Sequence, residues 1–272
     1  MKNLDKKTVQ SFGHQWLRYD QSGMTNEEAK KIYKSYFSIF PWKKISKKAE
    51  GFDMGCGTGR WAKFVAPKVG KLHCIDPSDA IKVAKKKLKN FTNVEYHKKS
   101  LDSSGLKNNS QDFGYLLGVL HYVPDAQAAI KSCSKLLKPG APMLLYIYYS
   151  LDNRPIWFQY LWILSNFIRI IVSRLPKFLN FLICDLIAIF IYYPLAKFSL
   201  LIEKLGLNFK NFPLHFYRNL SFYVMRTDSR DRFGTPLEKR YSKIDILKMM
   251  KKAGLEKINF KSSVPYWTVV GY

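Results

Sequence analysis

Residues 51–60 read GFDMGCGTGR. Gly55, Gly57 and Gly59 alternate within five residues, directly after a short apolar run ending at Asp53. Glycine at alternate positions of a strand-to-helix turn lets the backbone approach a ligand where side chains would obstruct it. This stretch sets the reading of everything around it.

Outward from the loop, the chain alternates strand and helix. AEGFDM reads as a strand entering the loop, and RWAKFVAPKV as a helix leaving it. KLHCID is a second strand. PSDAIKVAKKKLKNF is a second helix, with Pro77 ahead of Ser78 as its cap, and NVEYHKKS is a third strand. DFGYLLGVLHYV begins as a fourth strand, DAQAAIKSCSKLLKPG is a helix closed by Pro139-Gly140, and APMLLYIYYS is a fifth strand. Continuous apolar strands separated by helices predict a parallel sheet covered on both faces, and right-handed crossovers make it a doubly wound α/β fold. SKIDILKMMKKAGLEKINF returns to this rhythm with a helix stopped by Gly254 and a further strand, and YWTVVGY reads as the last strand. Near the start, TNEEAKKIYKSYFSIF reads as a helix capped by Thr25 and stopped by Pro41. The expected organisation is an N-terminal helical cap over 1–48, a core over 49–150, an insertion over 151–242, and a helix with strands over 243–272 that completes the core.

With 272 residues, 47% of them hydrophobic and 15% aromatic, the chain buries a large core and is not disordered by composition. Lys and Arg number 45 against 20 Asp and Glu, a formal charge of +25. That balance favours polyanions or anionic lipid, or else reflects a lysine-rich solvated surface. Cys56, Cys74, Cys133 and Cys184 form no CxxC pair, and no His/Cys set has zinc spacing. They read as buried thiols of a reducing compartment, and no metal is expected. MKNLDKKTVQSFGHQW lacks the apolar stretch of a signal peptide, so a cytoplasmic location, including the cytoplasmic face of a membrane, is expected.

Three ligand loops compete for the glycine stretch. The phosphate loop GxxxxGK[ST] is absent, and the spacing GxGxG falls one residue short of the dinucleotide fingerprint. The S-adenosylmethionine loop, an acidic residue followed by x-G-x-G-x-G, matches DMGCGTG at Asp53, Gly55, Gly57 and Gly59. Asp76 ends the second strand, where a carboxylate can accept from both hydroxyls of a ribose, although Asp before Pro also starts turns.

With these residues in place, 49–149 resembles the class I S-adenosylmethionine-dependent methyltransferases of the type 11 group, whose core is like that of ubiquinone and menaquinone methyltransferases. GVLHYVPDAQAAIKSCSKLLKPGAPMLLYIYY is similar to that group's run from the fourth strand to the fifth, with Ala141 in place of a second glycine. YSKIDILKMMKKAGLEKINF is similar to its C-terminal helix. The resemblance implies a Rossmann-like, mostly parallel seven-stranded sheet with S-adenosyl-L-methionine as cofactor. It implies that Gly55, Cys56, Gly57 and Gly59 line the cofactor, that Asp53 meets its amino end, and that Asp76 and Pro77 flank its ribose. It places Leu117 and Gly118 beside the methionine part, and Ser100 and Leu101 where the group often has an acid for the adenine; Asp102 fills that role only after a register shift.

A methyl acceptor oxygen also needs a base. His121, just beyond the fourth strand, is the first candidate, against a packing or capping role, and His14 and His215 are the others. GVLHYVPD stands where many N-methyltransferases of bases and amides carry Asn/Asp-Pro-Pro-aromatic, which favours oxygen or carbon acceptors.

Segments 156–172 and 178–193 are almost wholly apolar but contain Arg169 and Asp185, and the second is expected to end at Pro194. They read as a lid over a lipophilic substrate, a surface-bound element meeting anionic lipid, or a hairpin through the bilayer. Both DSRDRFGTPLEKRYS, a polar, turn-rich stretch, and the FG-x-x-W of Phe12, Gly13 and Trp16 resemble elements of type 11 relatives and are expected to fold over the cofactor cleft; Trp16 also reads as a plain core anchor. The favoured function is methyl transfer to a small lipophilic or glycolipid-like acceptor. The alternatives are an RNA methyltransferase, which the apolar insertion disfavours, and a membrane-associated protein of this fold without catalysis.

Overall fold

The computed structural model describes residues 3–261 and 266–272. The chain divides into two compact units. The first comprises Met1–Gln21, Ala29–Ser150 and Leu237–Tyr272, and the second Ser22–Glu28 and Leu151–Pro236.

The first unit is built on a seven-stranded sheet. Its strands are β1 (Glu50–Met54), β2 (Lys71–Ile75), β3 (Val94–His97), β4 (Phe113–Leu117), β5 (Met143–Ile147), β6 (Asn259–Phe260) and β7 (Trp267–Gly271). The spatial order is β3-β2-β1-β4-β5-β7-β6. β1 to β5 run parallel, and β7 is antiparallel to both β5 and β6. The order reverses between β1 and β4, the switch point at which open α/β sheets hold ligands beyond their strand ends. β4, β5 and β7 are buried along their whole length, as their unbroken apolar runs require.

Helices α1 (Lys6–Arg18), α2 (Asn26–Tyr36), α3 (Ala62–Val65), α4 (Ala80–Lys87) and α5 (Ala126–Ser134) precede the insertion. α1 starts where Asp5 accepts from the Thr8 amide at 2.8 Å, and α2 where Thr25 Oγ1 accepts from the Glu28 amide at 3.1 Å. The helix expected over 60–69 shrinks to the four residues of α3 and a 3₁₀ turn, Ala66–Lys68, which contains Pro67 and its missing N–H. α5 ends before Pro139-Gly140 because the chain is already drawn to the sheet, where the amide of Gln111 donates to the Leu136 carbonyl at 2.9 Å.

The second unit holds α6 (Trp157–Val172), α7 (Lys177–Ile187), α8 (Tyr193–Lys204) and α9 (Phe222–Phe233). α7 does not stop at Pro194. One π-helical turn, Ala188–Tyr192, carries it into α8, and Pro194 sits in the first turn of α8, where a missing N–H is tolerated. The stretch expected as a polar loop is half helix, since Asp228–Phe233 belong to α9. Leu237–Tyr241 returns to the first unit, where Tyr241 exchanges backbone bonds with Tyr148 and Ser150. The insertion therefore ends at Pro236 rather than at 242. Ser22–Glu28, expected within the N-terminal cap, belongs with it, the Glu28 carboxylate accepting from the amide and hydroxyl of Ser221. α10 (Lys243–Lys252) closes the first unit and opens on a reciprocal cap between Ser242 and Asp245.

The second unit buries a set of polar and charged groups among apolar ones such as Phe181, Tyr192 and Met225, and leaves many large apolar side chains exposed. Arg169 is buried and donates to Asn166 Oδ1 and to the carbonyls of Thr235 and Pro236. Asp185 takes both ends of the Arg226 guanidinium at 2.7 and 2.5 Å. Buried Asn180 donates to the Val172 carbonyl and accepts from Arg230, and Ser229 donates to the Cys184 carbonyl. Meanwhile Phe178, Phe190, Tyr160 and Phe167 are each more than 60% exposed.

Candidate cofactor and active site

The site grows from the β1–α3 turn. The amides of Gly55 and Cys56 both donate to the Ile75 carbonyl, at 2.7 and 3.1 Å, which pins the loop to the end of β2. Gly55, Gly57 and Gly59 all have positive φ, of 76°, 54° and 72°, a region closed to most side chains. A Cβ on Gly55 would stand 2.4 Å from Val119 and one on Gly59 2.7 Å from Leu88, so these two also answer to packing. Gly57 faces the indole of Trp16, whose Nε1 would lie 3.6 Å from an added Cβ. Gly13 lets α1 come down on the backbone of Asp79. The Phe12-Gly13-Trp16 element thus covers the glycine loop, and the Arg60 guanidinium lies over the rings of Trp61 and Trp16.

Asp76 ties the loop to the β2 end. Its Oδ2 accepts from the Gly57 amide at 2.9 Å, while Oδ1 accepts from the amide and hydroxyl of Ser78 at 2.8 and 2.6 Å. Each carboxylate oxygen offers two lone pairs, so one position remains on Oδ2. Burial raises the Asp76 pKa, and the bonds from Ser78 and Gly57 oppose that. Pro77 is half-buried, and the Ser78 hydroxyl accepts from the Ala80 amide at the start of α4.

Asp53 lies deeper, paired in register with Cys74 on β2 and Tyr115 on β4. Burial pushes its pKa up to about 8, with the Tyr115 hydroxyl drawing it partway down, Asp76 raising it and Arg60 lowering it. Its Oδ2 is buried without a hydrogen-bond partner. A buried acceptor of this kind is costly unless a donor arrives to meet it. Cys56 is buried beside Cys74, and burial raises its thiol pKa.

Across the switch point, Leu117 ends β4 and Gly118 turns away at φ 79°, its amide donating to the Tyr146 carbonyl at 3.2 Å. Nothing lies within 4 Å of an added Cβ on Gly118, so open space faces it. Ser100 and Leu101, both buried, follow β3. The Ser100 hydroxyl donates to Asp102, which also accepts from the Asn3 amide at 3.0 Å, so Asp102 is engaged locally.

The three candidate histidines have different surroundings. His121 is fully buried, stacked on Tyr148 at 3.7 Å, and its Nδ1 accepts from the Tyr148 amide at 3.3 Å. That contact puts the ring proton on Nε2, which is buried without a partner. Burial first, and then Arg240, hold its pKa well below the ordinary histidine value. As placed, His121 is a neutral ring that links the β4 and β5 ends by accepting at Nδ1, and that accepting nitrogen is not open to a substrate proton. His14 is exposed on α1. His215 belongs to the second unit, with Nδ1 against the Phe212 carbonyl.

The sequence reading missed an aromatic wall beside Gly118. Tyr146 stacks on Tyr36 at 4.3 Å and meets Tyr266 edge-on at 5.2 Å, and Tyr148 stacks on Tyr266 at 5.9 Å. The run YIYY at 146–149 was its visible signal: alternate tyrosines at the end of β5 share one face.

The glycine cradle, the unpartnered Asp53 oxygen and the open space at Gly118 are chemically suited to S-adenosylmethionine. Comparison with known proteins points to the same cofactor. Residues 52–145 match the model of a methyltransferase domain family. The ubiquinone biosynthesis O-methyltransferase of Xanthomonas oryzae pv. oryzae is 32% identical over 100 residues, 36% of this chain and 42% of that protein. The chain thus spans less than half the length of that curated relative. A candidate O-methyltransferase from Nostoc punctiforme superposes with a TM-score of 0.52 at 13% identity, covering 94% of this chain and 60% of the other. A candidate methyltransferase from Bacillus halodurans gives 0.51 at 13%, covering 90% and 95%. Residues 52–145 therefore form a methyltransferase domain, set in the Rossmann-like fold of the class I S-adenosylmethionine-dependent methyltransferases.

Proposed function

We propose that the protein transfers a methyl group from S-adenosylmethionine to an oxygen of a lipophilic acceptor at an anionic membrane surface. The bound sulfonium supplies an electrophilic methyl group, and what the chain adds is alignment and exclusion of water. The glycine loop and Asp53 hold the amino acid end, Asp76 orders the loop against the ribose, and Trp16 covers the loop from α1. The tyrosine wall at Gly118 offers an aromatic, hydroxyl-edged surface suited to an apolar acceptor.

One observation carries the lipophilic part of this reading: the second unit exposes many large apolar side chains while it satisfies its charged groups internally. Lys177–Lys204 is one continuous helical run of 28 residues, about 42 Å long, with only a third of its most apolar window buried. A core helix of a water-soluble protein would be mostly covered. Here the ion pair Asp185–Arg226 and the bonds of Arg169 are satisfied within the unit while phenylalanines face out, the distribution a lipid environment demands. The formal charge of +25 complements anionic headgroups.

The test combines the purified chain, labelled S-adenosylmethionine and phosphatidylglycerol-containing vesicles, with and without a long-chain alkyl phenol or catechol. The expected result is co-sedimentation with the vesicles and label in the extracted lipid, with at least tenfold weaker vesicle binding in a Phe178→Glu/Phe190→Glu variant. Failure to bind vesicles, together with transfer to a water-soluble acceptor, would overturn the lipid reading.

A further inference from the structure

On the face of the sheet at β2 and β3, remote in sequence from the glycine loop, His73, Glu95 and His97 bring three ligand atoms within 4.8 Å of one another. His73 Nδ1 lies 3.0 Å from His97 Nε2 and 3.3 Å from Glu95 Oε2, and the last two are 4.0 Å apart. The strands produce this set by register. His73 is opposite Glu95 and Ile75 is opposite His97, so Glu95 and His97, two apart on β3, share the face of His73. We propose that this triad is a binding site for one divalent transition-metal ion of the zinc class.

The distances bracket those of such an ion. Metal–ligand bonds of about 2.0–2.2 Å at tetrahedral angles place ligand atoms about 3.3–3.6 Å apart, and the three separations here, 3.0, 3.3 and 4.0 Å, lie on and to either side of that range. Two imidazoles and one carboxylate select zinc-like ions over magnesium or calcium, which take oxygen ligands. The outer partners are also in place. His73 Nε2 bonds Glu50 Oε1 at 2.7 Å, which puts the His73 proton on Nε2 and leaves Nδ1 with its lone pair toward the site. Lys71 holds the other Glu95 oxygen, Oε1, at 2.9 Å and so leaves Oε2 for the ion. Binding asks only that His97 carry its proton on Nδ1 instead of Nε2, because neutral imidazole has one proton either way. The triad supplies three ligands, and solvent supplies the fourth through the partly exposed Glu95.

The ion would clamp edge strand β3 to β2. The same stretch of β3 offers the His97 carbonyl to the Asp76 amide at 3.1 Å, so the clamp lies one backbone bond from the cofactor loop. The site itself does not depend on the methyltransferase reading.

The experiment is titration of chelator-treated full-length protein with Co²⁺, followed by its ligand-field absorption and then by displacement with Zn²⁺. The expected result is one equivalent bound with a four-coordinate nitrogen and oxygen spectrum. His97→Ala and Glu95→Gln should each weaken binding at least tenfold, Glu50→Gln should weaken it about 10- to 100-fold, and His14→Ala should leave it unchanged. Both β3 variants alter partly exposed side chains, and their unchanged circular dichroism would show an intact fold. Equal binding by wild type and His97→Ala, a thiolate spectrum, or no binding at micromolar metal would overturn the proposal.

Discussion

The Gly57 amide donates to Oδ2 of Asp76 at 2.9 Å, joining the middle of the glycine loop to the end of the neighbouring strand. One carboxylate therefore shapes the loop and keeps one acceptor position open. Asp76→Ala removes the acceptor for Gly57 and both bonds from Ser78. The expected outcome is a folded protein whose affinity for S-adenosylmethionine falls at least tenfold, about 1.4 kcal/mol, read by calorimetry. An unchanged affinity would remove Asp76 from the site.

Two glycines separate conformation from packing. Gly118→Ala meets only the backbone cost of a positive φ, about 1–2 kcal/mol, because open space faces its Cβ. Gly55→Ala carries that cost and also collides with Val119. Urea unfolding should rank Gly55→Ala as clearly the more destabilised, while Gly118→Ala should lose cofactor affinity out of proportion to its stability. The reverse ranking would mean that the loop is not seated against Val119 as described.

His121 sets a pH dependence whose sign follows from its burial. Its folded pKa lies well below the ordinary value near 6.5, so below that pH the unfolded chain binds a proton that the folded one does not. Its contribution is fully present above about pH 6.5 and is lost as pH falls, by up to about 1.4 kcal/mol per pH unit until the folded pKa is reached. Unfolding titrations at pH 7.5 and 5.5 should show this loss in the wild type and a smaller one in His121→Phe. An equal loss in both would show that His121 does not titrate on unfolding. The buried, stacked placement, with Nδ1 taken by the Tyr148 amide, also predicts that no ionisation of His121 shapes the pH profile of methyl transfer.

The doubly wound core was legible because its strands are continuous apolar runs separated by glycine and proline punctuation, and because DMGCGTG and Asp76 stand at strand ends. Element ends were less so. Pro194 reads as a stop only while the helix is taken to be regular, and a π turn at Ala188–Tyr192 changes that. Helix α9 hid behind a polar composition, since Thr227, Ser229 and Arg230 are buried by hydrogen bonding rather than by hydrophobicity. His121 looked like a base from its place after β4, and only the Tyr148 amide reveals which of its nitrogens is taken. His73 and His97 escaped a search for zinc spacing because strand register, not sequence proximity, brings them together.

The central claim is that the glycine loop and Asp53 receive the amino acid end of S-adenosylmethionine, and titration calorimetry tests it most directly. Burial raises the pKa of Asp53 in the free protein to about 8, above neutral pH. A docked ammonium group would favour the carboxylate and expel the carboxyl proton. Titration at pH 7 in two buffers of different ionisation enthalpy should therefore give saturable binding with net proton release, and Asp53→Asn should bind more weakly and release fewer protons. A folded protein that shows no binding, or wild-type binding with no difference between the buffers, would contradict the account.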